Sequence, residues 1–155
     1  MLENQLAETL ALDGAWQIEI AGQRGEIQVP GVWEVQGYPD VEGPAIYRRE
    51  IAVPESWRGA QIDLRFEAIS YYVEGFVNGL PVGTHEGLWT PFAWDVSKAI
   101  RPGEVNALEL RITKAADKGD RFSYHDALVG FIPYVSTTFG GIWLSSKTEV
   151  KWEEL

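Results

Sequence analysis

The segment Tyr71 to Val77 runs directly into Asn78-Gly79, and Leu80 to Thr84 follows at once. Asparagine and glycine tolerate the positive backbone angles of a two-residue turn, so this spacing predicts an antiparallel hairpin closing at residues 78–79. The rest of the chain repeats the same period. Trp16, Ile18 and Ile20 alternate with Gln17 and Glu19, and Ile27 and Val29 continue the pattern. Alternation at period two places one set of side chains on a core and the other in solvent, as in a half-buried strand.

Further strands are expected over Tyr47 to Val53, over Gln61 to Phe66 with Ile62, Leu64 and Phe66 inward, and around Leu108, Leu110 and Ile112. Asp95 or Ser97 is placed to cap one helical turn over Ser97 to Ile100, which Pro102-Gly103 ends. Lys114 to Asp120 reads as a charged loop, and Arg121 to Phe139 shows no clean periodicity. Gly140-Gly141-Ile142-Trp143 leads into a last strand pair ending near Trp152. Leu2, Leu6 and Leu10, four apart, suit either a short helix or a leading arm over residues 1–12. Many short strands without a long amphipathic helix point to an all-β fold, an antiparallel β-sandwich or jelly roll, over residues 13–155.

With 155 residues there is room for one such domain and no second. A formal charge of -10 repels phosphate backbones and anionic lipid, which excludes nucleic acid and membrane surfaces as expected partners. Cysteine is absent, so neither disulfides nor thiolate metal sites are available. Met1 to Leu12 lacks the basic start and apolar run of a signal peptide, leaving the cytoplasm as the default location. The phosphate-binding, serine-nucleophile and zinc-peptidase motifs G-x-x-x-x-G-K-[ST], G-x-S-x-G and H-E-x-x-H are missing. Asp117, Asp120 and Asp126 do not match a calcium loop, so no metal and no cofactor is expected.

Several blocks, in order, carry a resemblance. They are Leu12-Asp13-Gly14-Ala15-Trp16, Val29-Pro30-Gly31-Val32-Trp33-Glu34, Gly37-Tyr38-Pro39, Ile46-Tyr47-Arg48-Arg49-Glu50, Val53-Pro54 with Trp57, Phe76 to Gly87, Thr90-Pro91-Phe92, Trp94-Asp95-Val96 and Gly141-Ile142-Trp143. Together they are similar to the N-terminal sugar-binding domain of family 2 glycoside hydrolases, the group of β-galactosidases, β-glucuronidases and β-mannosidases. The resemblance implies a galactose-binding-domain-like jelly roll standing ahead of an immunoglobulin-like domain and a (β/α)8 barrel. Retaining glycosidases use two carboxylates about 5 Å apart. In this family both lie in the barrel, so the resemblance implies no catalytic residue in this chain.

The same resemblance draws attention to Ser123-Tyr124-His125-Asp126, similar to the loop from which an aspartate of β-glucuronidases reaches the substrate sugar. Asp126 stands further ahead of Gly141 than the family pattern places that aspartate. It is therefore read as a sugar ligand, a loop-stabilising carboxylate or a solvated side chain. His125 could move a proton, but no second histidine or carboxylate stands at ligand spacing. Rings stack on the apolar faces of sugars, so the aromatics of expected loops, Trp33, Trp89, Tyr124 and Tyr134, join the candidate binding residues. Trp16, Trp94 and Trp143 are expected in the core, and His85 and Glu86 in a structural part beside the hairpin. Three functions remain open: a support domain lending one loop to a glycosidase pocket, a free-standing carbohydrate-binding module, and a structural or interaction domain.

Overall fold

The computed structural model describes residues 5–38, 44–87, 90–113, 137–138 and 142–149, with side chains over 8–38, 44–87 and 90–113. The fold is an all-β antiparallel sandwich, as the alternation predicts. Its first strands are β1 (Gln5–Ala11), β2 (Gly14–Ile20), β3 (Gln23–Val29), β4 (Gly31–Val32), β5 (Ala45–Ala52) and β6 (Gln61–Phe66). There follow β7 (Ile69–Val77), β8 (Leu80–Gly87), β9 (Phe92–Asp95), β10 (Val105–Thr113), β11 (Thr137–Thr138) and β12 (Ile142–Glu149). One sheet has the order β1-β12-β6-β9 and the other β3-β2-β5-β10-β7-β11-β4, with β8 paired to β7. No helix among the described residues is long and apolar enough to cross a membrane.

The inward halves of the strands form the core between the sheets. Trp16, Ile18 and Ile20 of β2, Ile62, Leu64 and Phe66 of β6, and Leu108, Leu110 and Ile112 of β10 are all buried. Trp16 and Trp94 lie in this core as expected; the side chain of Trp143 is outside the described residues. The hairpin closes where the sequence places it, with Asn78 at φ 51° and Gly79 at φ 80°. The expected turn after Asp95 is present too. The Asp95 carboxylate accepts from the Ser97 amide at 3.0 Å, and Ile100 N–H donates to the Val96 carbonyl at 3.0 Å.

Two expectations change. Of the short helix or leading arm expected over residues 1–12, residues 5–11 form a strand and not a helix, because the backbone of β1 pairs with β12 from Gln5↔Glu149 to Ala11↔Trp143. A four-residue spacing returns to the same face in a strand as it nearly does in a helix, so the leucines alone do not separate the two. Beyond the backbone, Glu8 accepts the Trp57 indole N–H at 2.9 Å. Of the terminal strand pair expected to end near Trp152, the described residues 142–149 form one strand, β12, running between β1 and β6.

Residues of the blocks that carry the resemblance form cross-links. Trp16 Nε1 donates to the Leu12 carbonyl at 2.7 Å, and Arg49 Nη1 donates to the carbonyls of Leu12 at 2.7 Å and Asp13 at 3.0 Å. The turn before β2 is thereby held by a tryptophan from its own strand and an arginine from β5. Gly75 and Gly83 face each other across β7 and β8, and the Trp94 indole of β9 lies over both; a methyl at either position would overlap it.

Candidate functional site

The backbone brings the residues that flank the segment 114–136 close together on β7. β10 ends with Thr113 paired to Tyr72, and β11 begins with Thr137 paired to Ser70 and Val32. The segment 114–136 therefore departs and returns within two residues on β7, beside the start of Trp33–Val35 and near Gly87, the partner of Tyr71. Tyr124, His125, Asp126 and Tyr134 belong to this segment, and Trp89 stands two residues after Gly87, the end of β8; all five lie outside the described residues.

Trp33 is described, and it corrects its assignment as a sugar-stacking loop aromatic. It sits in a single helical turn, Trp33–Val35, and is fully buried with 0% exposure. The reason lies in the turn itself. Gln36 Nε2 donates to the Gln28 carbonyl at 3.1 Å, and its Oε1 accepts from the Gln28 amide at 2.8 Å, folding the segment back onto β3. Trp33 and Tyr38 also close the turn through the Gln36 and Tyr38 amides, which donate to the Trp33 carbonyl at 3.0 and 3.2 Å. A ring so enclosed cannot stack on a sugar. Its Nε1 is buried without a hydrogen-bond partner among the described residues.

His85 has the architectural place expected of it. Its ring stacks on Phe92 with centroids 3.8 Å apart, and Phe92 in turn stacks on Phe66 at 4.6 Å. Burial pulls the imidazole below its ordinary range, and its Nε2 has no hydrogen-bond partner among the described residues. No cluster of metal-ligating side chains occurs among the described residues.

A second constellation, of which Gln17 and Glu19 are the polar half of the alternation in β2, covers the outer face of the larger sheet. Arg48 Nη1 donates to Glu19 at 2.8 Å and Arg48 Nε to Glu109 at 3.0 Å. Arg111 Nε donates to the other oxygen of Glu109 at 3.0 Å, while its guanidinium lies 4.4 Å from the centre of the Phe76 ring. The hydrogen bond from Arg48, with Arg24 nearby, holds the Glu19 carboxyl below the usual carboxylate range. The same holds for Glu55 beside Arg58 and for Asp95 beside Ser97. Each is biased toward the ionised form, the reverse of what a proton-donating carboxyl requires. The signal that would have found the face is the register, which sets Gln17 beside Arg48 and Arg48 beside Glu109.

The family described as glycosyl hydrolases family 2, sugar binding domain, matches residues 2–119. A β-galactosidase of Arthrobacter is 32% identical over 113 residues, which are 68% of this chain and 11% of that protein. A β-glucuronidase of Formosa agariphila is 26% identical over 101 residues, 65% of this chain and 10% of that protein. Among solved structures, a β-glucuronidase from Ruminococcus gnavus superposes with a TM-score of 0.76 at 20% identity, over 94% of this chain and 30% of that one. The chain thus spans only a small fraction of the length of these relatives.

Proposed function

The chain belongs to glycosyl hydrolases family 2 through its sugar-binding domain, and from that premise we propose that it is a non-catalytic support domain of a β-glycosidase. In this reading the segment 114–136 carries a sugar contact, Asp126 with Tyr124 and His125, to a pocket completed by a barrel domain elsewhere in the enzyme. The observation that carries the reading is the anchoring of that segment. The residues that flank it, Thr113 and Thr137, pair with Tyr72 and Ser70 of β7, so both attachment points of the segment are fixed on one strand.

The carboxylates agree with a role outside the chemistry. Retention needs one carboxyl held protonated near neutral pH and a second as nucleophile. Among the described residues the carboxyl groups with shifted affinity for protons are all shifted the other way. The similarity of the chain to β-glucuronidases and β-galactosidases makes glucuronate and galactose the first sugars to test.

The test is an NMR titration of the labelled chain with glucuronate, galactose, mannose and xylose. No shifts in residues 114–136 at millimolar sugar supports a contact that requires the barrel. Saturable shifts there, abolished by Asp126→Ala, would establish a free-standing carbohydrate-binding module in its place.

A further inference from the structure

The outer face of the larger sheet is a groove, and we infer that it is a second carbohydrate site, one for an extended neutral oligosaccharide. The groove is open and about 970 Å³ in volume, within the range of ligand-sized clefts. Its shape follows from the strand register. Gln17, Arg48, Glu109 and Phe76 are successive partners across β2, β5, β10 and β7, with Glu26 of β3 beyond Gln17. Five adjacent strands make this row about 19 Å long. Alongside it, Ala15 and Ala107 carry only a methyl group, so the surface dips between the taller arginines and glutamates.

The chemistry of the row suits hydroxyl groups. The lining holds Arg24, Arg48, Arg49 and Arg111 against Glu19, Glu50 and Glu109, nearly balanced in a chain whose formal charge is -10. Such a face exerts little net pull on an ion, yet presents donors and acceptors side by side. Each guanidinium has five N–H donors and each carboxylate several lone pairs. The pairs Arg48–Glu19, Arg48–Glu109 and Arg111–Glu109 use a fraction of that capacity, and Arg48 and Arg111 each keep 47% of the side chain exposed. The ion pairs fix these planar groups in place, so a ligand would not have to order them. Phe76, capped by Arg111, supplies the apolar wall at one end.

This site rests on the carbohydrate role of the family but not on the segment 114–136, and the two are separable. The labelled chain is titrated with cellotetraose, xylotetraose, mannotetraose and β-1,4-galactotetraose. The inference expects saturable shifts at the Gln17, Arg48, Ala107 and Glu109 amides and at the Arg48 Nε–H with at least one of these sugars. Ala107→Arg fills the trough at an exposed position and should weaken binding about tenfold or more; Phe76→Ala should do the same, whereas Asp126→Ala should leave binding unchanged. Dispersed spectra of the variants confirm folding. An absence of shifts on this face at about 10 mM of every tetraose, or loss of binding in Asp126→Ala, overturns the site. So do shifts on this face that follow protein concentration without sugar, which would make it an interface between copies.

Discussion

The side-chain amide of Asn78 donates to the side-chain carbonyl of Asn106 at 2.8 Å, joining the hairpin turn to the start of β10. Asn106, fully buried, also accepts from the Arg101 amide and donates to the carbonyls of Arg101 and Glu104. Asn78 donates to the Ala99 carbonyl and accepts from the Ala107 amide. The Asn-Gly turn thus does more than reverse the chain. Its asparagine satisfies backbone groups of two neighbouring segments, the Ala99 carbonyl and the Ala107 amide.

Asn78→Gly keeps the positive φ and removes only the side chain. It is expected to cost about 1–3 kcal/mol in urea denaturation followed by circular dichroism. Asn106→Ala should cost at least as much, since it leaves several backbone groups unsatisfied.

Gly83→Ala is expected to destabilise by about 1–3 kcal/mol or more, because the new methyl overlaps the Trp94 indole. The double variant Gly83→Ala with Trp94→Leu should cost less than the sum of the single changes. Additive losses would place the strain elsewhere.

His85 gives a pH dependence whose sign follows from burial. Its folded pKa lies below the ordinary imidazole value of 6.5. As pH falls through about 6.5 the unfolded chain takes up the proton first, so stability falls with acidification and is flat above that point. The lowered carboxylates Glu19, Glu55 and Asp95 add a separate loss only below about 4.5. Denaturation midpoints from pH 7.5 to 5.5 should therefore decline in the native chain and decline less in His85→Gln.

Trp33→Phe keeps most of the buried ring and removes an indole N–H that has no partner among the described residues. It should be tolerated far better than Trp33→Ala, for which about 3–5 kcal/mol is expected. Comparable losses in both would mean that the N–H is bonded.

The strands most legible in the sequence were those whose inner face is uniform. Trp16, Ile18 and Ile20, or Leu108, Leu110 and Ile112, state a period of two without competition, and Asn78-Gly79 fixes a register. Legibility failed where one pattern serves two geometries or where a side chain decides the outcome. The leucines of residues 2–10 fit a helix and a strand alike. Trp33 looks like a loop aromatic until Gln36 grips the backbone of Gln28 and turns it inward. The row Gln17, Arg48, Glu109 depends on pairing between strands distant in sequence, which alternation within one strand does not contain. The candidates Trp89, Tyr124, His125, Asp126 and Tyr134 were read from the sequence and lie outside the described residues.

The central claim, that this chain supports glycosidase chemistry without performing it, is tested most directly by incubating the purified chain with chromogenic β-glucuronide, β-galactoside and β-mannoside. The account predicts no release of chromophore above buffer. Release that co-purifies with the chain and is lost on changing one of its own Asp or Glu residues would contradict it.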